Sequence, residues 1–162
     1  MKLRSYGLII ILVLTNLSLE LFADKVDRNP IVGIEERLGN YLPLNLKFYN
    51  SNGDTLALSE IITKPTILSL VFYNCSGLCN PMMNALVDAM NYVQLEPNKD
   101  FKVISLSFDH KEKIADAAKW KKTYLTQMTR KIPEDSWYFM VGDSVSIRQL
   151  TDAVGFYFKD DG

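Results

Sequence analysis

Cys75 and Cys79 are the only cysteines of the chain, four apart in the run Tyr73-Asn74-Cys75-Ser76-Gly77-Leu78-Cys79-Asn80-Pro81. Thiols at that spacing have three chemistries open to them. Two thiolates are soft donors that favour Cu(I), with zinc as a competitor. The same sulfurs can cycle between dithiol and disulfide, or form an inert staple in an oxidising compartment. Four residues across a helix start can bring the sulfurs within bridging distance, and Gly77 allows several geometries. Spacing alone therefore leaves all three chemistries open. Two ligands rarely complete a metal site, and the one histidine, His110, is a formal candidate for a third. It is better read as an exposed loop histidine, because its ring must compete with the capping geometry of the helix that follows.

The flanking elements decide where the thiols stand. Thr66 to Tyr73 is apolar at nearly every position, which predicts a central parallel strand buried on both faces. After the cysteines, Asn80 is suited to cap a helix and Pro81 to occupy its first turn. Met82, Met83, Leu86, Val87 and Met90 then recur at helical spacing. That stripe is read as a buried helix face, with methionine filling irregular core space, and not as a metal-binding methionine cluster. Cys75 and Cys79 would then lie beyond the carboxyl end of a strand, where open α/β sheets build their sites. Main-chain N–H groups and the positive end of the following helix stabilise a thiolate there.

The remaining chain alternates strands and helices. Asp24 to Tyr41 is a polar lead-in with a short helix expected at Ile34-Glu35-Glu36-Arg37-Leu38. Leu44, Leu46 and Phe48 alternate with polar neighbours, Asn52-Gly53 marks a tight turn, and Thr55 to Leu58 returns, which predicts a hairpin. Phe101 to Phe108 predicts a second buried strand, and Asp109 with Glu112 resembles a capping box for the next helix. Ile114, Ala117, Ala118, Tyr124 and Leu125 would form that helix's inner face, with its lysines solvated. Trp137 to Val141 is a further strand. Ser144 opens a helix carrying Ile147, Leu150 and Val154 and ended by Gly155, and Gly155-Phe156-Tyr157-Phe158 begins one more strand. Alternation of this kind predicts an α/β layer fold with parallel strand pairs. Only two long buried strands are evident, so the sheet is expected to be incomplete at the C-terminal end.

Composition bounds the setting. The 162 residues are 48% hydrophobic and 23% charged with a formal net charge of −1, which gives no case for nucleic acid or an anionic membrane surface. Met1-Lys2-Leu3-Arg4 is a short basic start, Gly7 to Leu14 is apolar, and Leu21-Phe22-Ala23 offers a cleavage site. Residues 1–23 therefore read as a signal peptide or an N-terminal anchor, and residues 24–162 as one exported domain, in a compartment where thiols can be oxidised.

The cysteine run, placed after a buried strand, resembles the Sco/SenC family of thioredoxin-like copper proteins. The resemblance extends to Leu38-Gly39-Asn40-Tyr41-Leu42-Pro43-Leu44 with Phe48 through Asp54, to Lys64-Pro65-Thr66-Ile67-Leu68, and to Val103-Ile104-Ser105-Leu106-Ser107-Phe108-Asp109. It continues in Trp137-Tyr138-Phe139-Met140-Val141-Gly142-Asp143 and Val154-Gly155-Phe156. It implies a thioredoxin-like sandwich and a metallochaperone more than an enzyme. Such a protein would deliver copper to the copper-bearing subunit of cytochrome c oxidase and exchange with other copper chaperones or thiol reductants. Its place would be the periplasm, free or tethered to the outer face of the inner membrane. Cys75 and Cys79 would be copper ligands and also the redox couple; the alternative is a thiol–disulfide oxidoreductase without a metal role. Two departures are visible. Ser76 stands where relatives commonly carry proline, and the family's histidine ligand falls beyond Gly162, so His110 does not inherit that role.

Overall fold

A computed structural model describes residues 32–159; the expected signal or anchor at residues 1–23 lies outside them. In chain order the elements are β1 (Gly33–Ile34), β2 (Lys47–Asn50), β3 (Thr55–Ala57), α1 (Leu58–Ile61), β4 (Thr66–Val71) and α2 (Cys79–Tyr92). They continue as β5 (Lys102–Ser107), α3 (Ile114–Leu125), a 3-10 turn (Glu134–Ser136), β6 (Trp137–Val141), α4 (Ser144–Ala153) and β7 (Phe156–Tyr157). Five strands form one mixed sheet in the order β3-β2-β6-β5-β4. Within it β4, β5 and β6 run parallel, and β2 joins antiparallel to β6, with Tyr49 opposite Val141. The expected α/β thioredoxin-like architecture is therefore present, and the hairpin adds two strands to the sheet. Among the described residues no helix is long and apolar enough to cross a membrane.

The period-two alternation of strand side chains divides the core between the two faces of the sheet. Val103 of β5 and Trp137, Phe139 and Val141 of β6 meet Met83, Val87 and Met90 of α2 and Ala117, Trp120 and Tyr124 of α3. On the opposite face Ile104, Leu106 and Met140 meet Phe48, Leu58, Ile61, Ile147 and Leu150. The methionine stripe is thus core packing at Met83 and Met90, while Met82 is largely exposed.

Several local expectations are corrected. β4 is an edge strand: only Val71 is buried, and Ile67 is 44% exposed. The fully buried central strand is β5. Ile34 to Leu38 is not a helix, because Gly33 and Ile34 pair with Tyr157 and Phe156, and Glu35 N–H donates to the Gly155 carbonyl at 2.8 Å. That approach explains Gly155: it has φ of 70°, and a Cβ there would lie 1.9 Å from the Glu35 carbonyl oxygen. In α3, Trp120 lines the core while Ile114 faces outward.

Candidate functional site

The thiols occupy the turn between β4 and α2. Cys75 N–H donates to the Phe72 carbonyl at 3.1 Å, which closes a tight turn directly after the strand. The helix then begins at Cys79, two residues earlier than a cap at Asn80 would require. Asn80 sits inside the first turn, where its side-chain oxygen accepts from the Tyr124 hydroxyl at 2.9 Å. Pro81 falls in the same first turn, where its missing N–H has no helical partner to lose.

Both cysteines are free thiols of intermediate exposure, and their surroundings differ. Cys75 Sγ accepts from Gly77 N–H at 3.2 Å. The Cys79 main chain, then that of Gly77 and the Cys79 thiol, hold the Cys75 thiol below its ordinary range. Donors at a helix start stabilise the thiolate in this way. Cys79 packs against the α2–α3 core. Burial pushes its thiol upward, the Phe72 main chain opposes that, and the Cys75 thiol and the Glu112 charge add to the rise. The Cys75 thiol is thus the more acidic of the two and the Cys79 thiol the less acidic.

Glu112 has a different place from the one its sequence pattern suggests. It does not complete a capping box with Asp109. Lys113 caps α3 instead, its N–H donating to Asp116 at 2.8 Å. The Glu112 side chain, 5% exposed, turns back across the sheet edge. It accepts from Tyr73 N–H at 2.8 Å, Asn74 N–H at 2.7 Å, the Asn74 side-chain amide at 2.8 Å and the Ser107 hydroxyl at 2.5 Å. Tyr73 is anchored at its other end, its hydroxyl donating to the main chain of the central strands at Ser105 (2.8 Å). The Glu112–Tyr73 contact joins positions 39 apart, and an acid three residues after an aspartate looks the same in sequence whether it caps or not.

His110 does stand beyond the carboxyl end of β5, as expected, and it is exposed. It borders a small cleft of about 80 Å³ with Phe108, Ser144, Ile147, Arg148 and Phe158, a set that does not include the cysteines. Among the described residues no three His, Cys, Asp or Glu side chains stand together in a metal-holding group. The soft donors that the turn itself offers are the two sulfurs. Their chemistry fits Cu(I), which thiolates select over hard cations.

A parallel strand pair, a helix starting at a cysteine and a thiol pair at the carboxyl edge of the sheet together define a thioredoxin-like domain with a dithiol turn. Its structural neighbours include Sco/SenC family proteins and a putative electron transfer protein. A putative electron transfer protein from Aquifex aeolicus VF5 is 28% identical, with 77% of this chain and 70% of that chain covered and a TM-score of 0.67. BsSco, a member of the Sco family of cytochrome c oxidase assembly proteins in which a disulfide switch was identified, is 21% identical over 78% of this chain and 71% of its own, TM-score 0.57. ScoI of Arabidopsis thaliana, solved with copper bound, is 14% identical over 67% of this chain and 63% of its own, TM-score 0.54. The family resemblance seen in the sequence is borne out in the fold. No protein-family model and no curated protein matches the sequence.

Proposed function

We propose that this chain is an exported copper-binding protein that serves assembly of the binuclear copper centre of cytochrome c oxidase, with Cys75 and Cys79 as both copper ligands and redox couple. The observation that carries the reading is the dithiol turn itself: two hydrogen-bonded soft donors of unequal acidity at the start of α2. Copper is the cargo in this reading. The neighbouring ScoI with copper bound and the assembly role of the BsSco family support it. The partners would be the oxidase subunit that carries the copper centre, together with copper chaperones or thiol reductants that load and reduce the protein. Residues 1–23 would direct export to the periplasm or tether the domain, residues 24–162, to the outer face of the inner membrane.

The same asymmetry supports a second reading, thiol–disulfide exchange without a metal role. The Cys75 thiolate attacks one sulfur of a partner disulfide, forming a mixed disulfide as the partner's other sulfur leaves as thiolate and takes a proton. Cys79 then loses its proton and attacks Cys75 Sγ, so the pair is oxidised by two electrons and the partner leaves as a dithiol. Anaerobic titration separates the readings. About one Cu(I) per chain, lost in Cys75→Ser and in Cys79→Ser, supports copper handling. A chain that takes up no stoichiometric copper but has a reduction potential between about −120 and −270 mV supports exchange alone.

A further inference from the structure

Glu112 is a buried carboxylate surrounded by donors and not by cations. Among the described residues no ion pair includes it, and its oxygens take four hydrogen bonds. A buried charge is costly unless such bonds replace its water, so a carboxylate is a poor choice if packing is all the position requires. Its bonds also have a direction. Three of the four come from Tyr73 and Asn74, the two residues that lead into Cys75. The fourth comes from Ser107, the last residue of the buried central strand. Glu112 therefore ties the start of the cysteine turn to the strand that is buried at every residue.

That tie bears on the two thiols unequally. Cys75 follows the clamped pair directly, in the turn that its N–H closes onto the Phe72 carbonyl, and there its Sγ accepts from Gly77 N–H. Cys79 also meets the Phe72 main chain, but it is held in addition by the first turn of α2 and the core beneath it.

We propose that Glu112 is the positioning residue of the dithiol turn: by clamping Tyr73 and Asn74 it fixes the geometry in which Cys75, and not Cys79, is the reacting thiol. The proposal rests on the reading of the pair as a working thiol couple.

The test is alkylation of the reduced, metal-free chain with limiting iodoacetamide at neutral pH, each cysteine being quantified by peptide mass spectrometry. The wild type is expected to label mainly at Cys75. Glu112→Ala is expected to lower the Cys75-to-Cys79 ratio about tenfold, through the loss of charge-assisted hydrogen bonds at one turn. Glu112→Asp, which keeps the charge, should restore part of the ratio, a rescue that a purely structural role does not predict. Equal labelling in the wild type overturns the proposal, as does a wild-type ratio in a Glu112→Ala chain with native circular dichroism. If Glu112→Ala does not fold, Asn74→Ala decides the matter. Asn74 is exposed and its side chain supplies one of the clamp's bonds, so a fall of about twofold is expected and no change overturns the proposal. Failure of the underlying function is read separately, as a wild-type chain with neither Cu(I) uptake nor an exchange-range potential.

Discussion

Four residues of spacing separate two thiols with opposite tendencies. Cys75 meets main-chain donors and is held below the ordinary thiol range, whereas burial first, and then its neighbours, hold Cys79 above it. The alkylation rate of Cys75 is accordingly expected to reach half its plateau below the free-thiol value of about 8.5, and that of Cys79 above it. A single shared midpoint in a pH series would refute this. The same difference has a sign in stability. A group whose folded pKa is lowered adds stability as pH rises between the folded and unfolded values, and a group whose pKa is raised loses stability as pH rises between the unfolded and folded values. In wild type the two slopes oppose each other. In Cys75→Ser only the Cys79 contribution remains, so its stability should fall with rising pH above about 8.5, relative to Cys75→Ser/Cys79→Ser measured alongside it.

At the scale of elements, the helices show what local chemistry can and cannot announce. α4 carries its start signal in sequence: Asp143 caps it, its side chain accepting from Val145 N–H and Ser146 N–H, each at 2.9 Å. Asp143→Ala should cost about 1 kcal/mol in chemical denaturation. The Ser146 N–H, and then the Ser146 hydroxyl, hold the Asp143 carboxyl below the usual carboxylate range. Its contribution is therefore complete above the unfolded value of about 3.9 and is lost as pH falls through the lower folded value. The variant's stability should fall less steeply than wild type below about pH 4; an unchanged acid limb would show that the cap carries no such charge term. α2 carries no comparable signal, since Leu78 stands at its cap without a side-chain bond, and the cap-type residue Asn80 lies two positions further on. The strand runs were legible as strands, but their place in the sheet was not. Thr66 to Val71 is apolar enough for a central position, yet it is β5, buried at every residue, that lies between two neighbours. Apolarity records burial summed over both faces and edges, whereas strand order depends on pairings between distant segments. For the same reason Cys75 and Cys79 could be found by type and spacing, while Glu112 could not.

At the scale of the whole molecule, the question is whether the fold needs a bond between Cys75 and Cys79. The sheet is covered on both faces by cores built from α2 with α3 and from α1 with α4, and Cys79 only borders the first of them. A disulfide between the two would close a loop of five residues. In the chain-entropy account such a loop contributes at most about 2 kcal/mol, and a strained turn contributes less. Reduction should therefore lower the melting temperature by only about 5–8 °C. A core deletion sets the scale for comparison. Trp137 is 1% exposed, and its indole N–H donates to the Ser105 hydroxyl at 3.0 Å. Trp137→Ala should cost about 3–5 kcal/mol by cavity formation, with further loss from the indole's bond to Ser105. Calorimetry of the oxidised chain, the reduced chain and reduced Trp137→Ala places the three on one axis. The expected order puts the first two close together and the third well below. Were reduction to destabilise the chain as much as Trp137→Ala does, the thiol pair would be a structural staple, and its acidity difference would have no exchange or copper chemistry to serve.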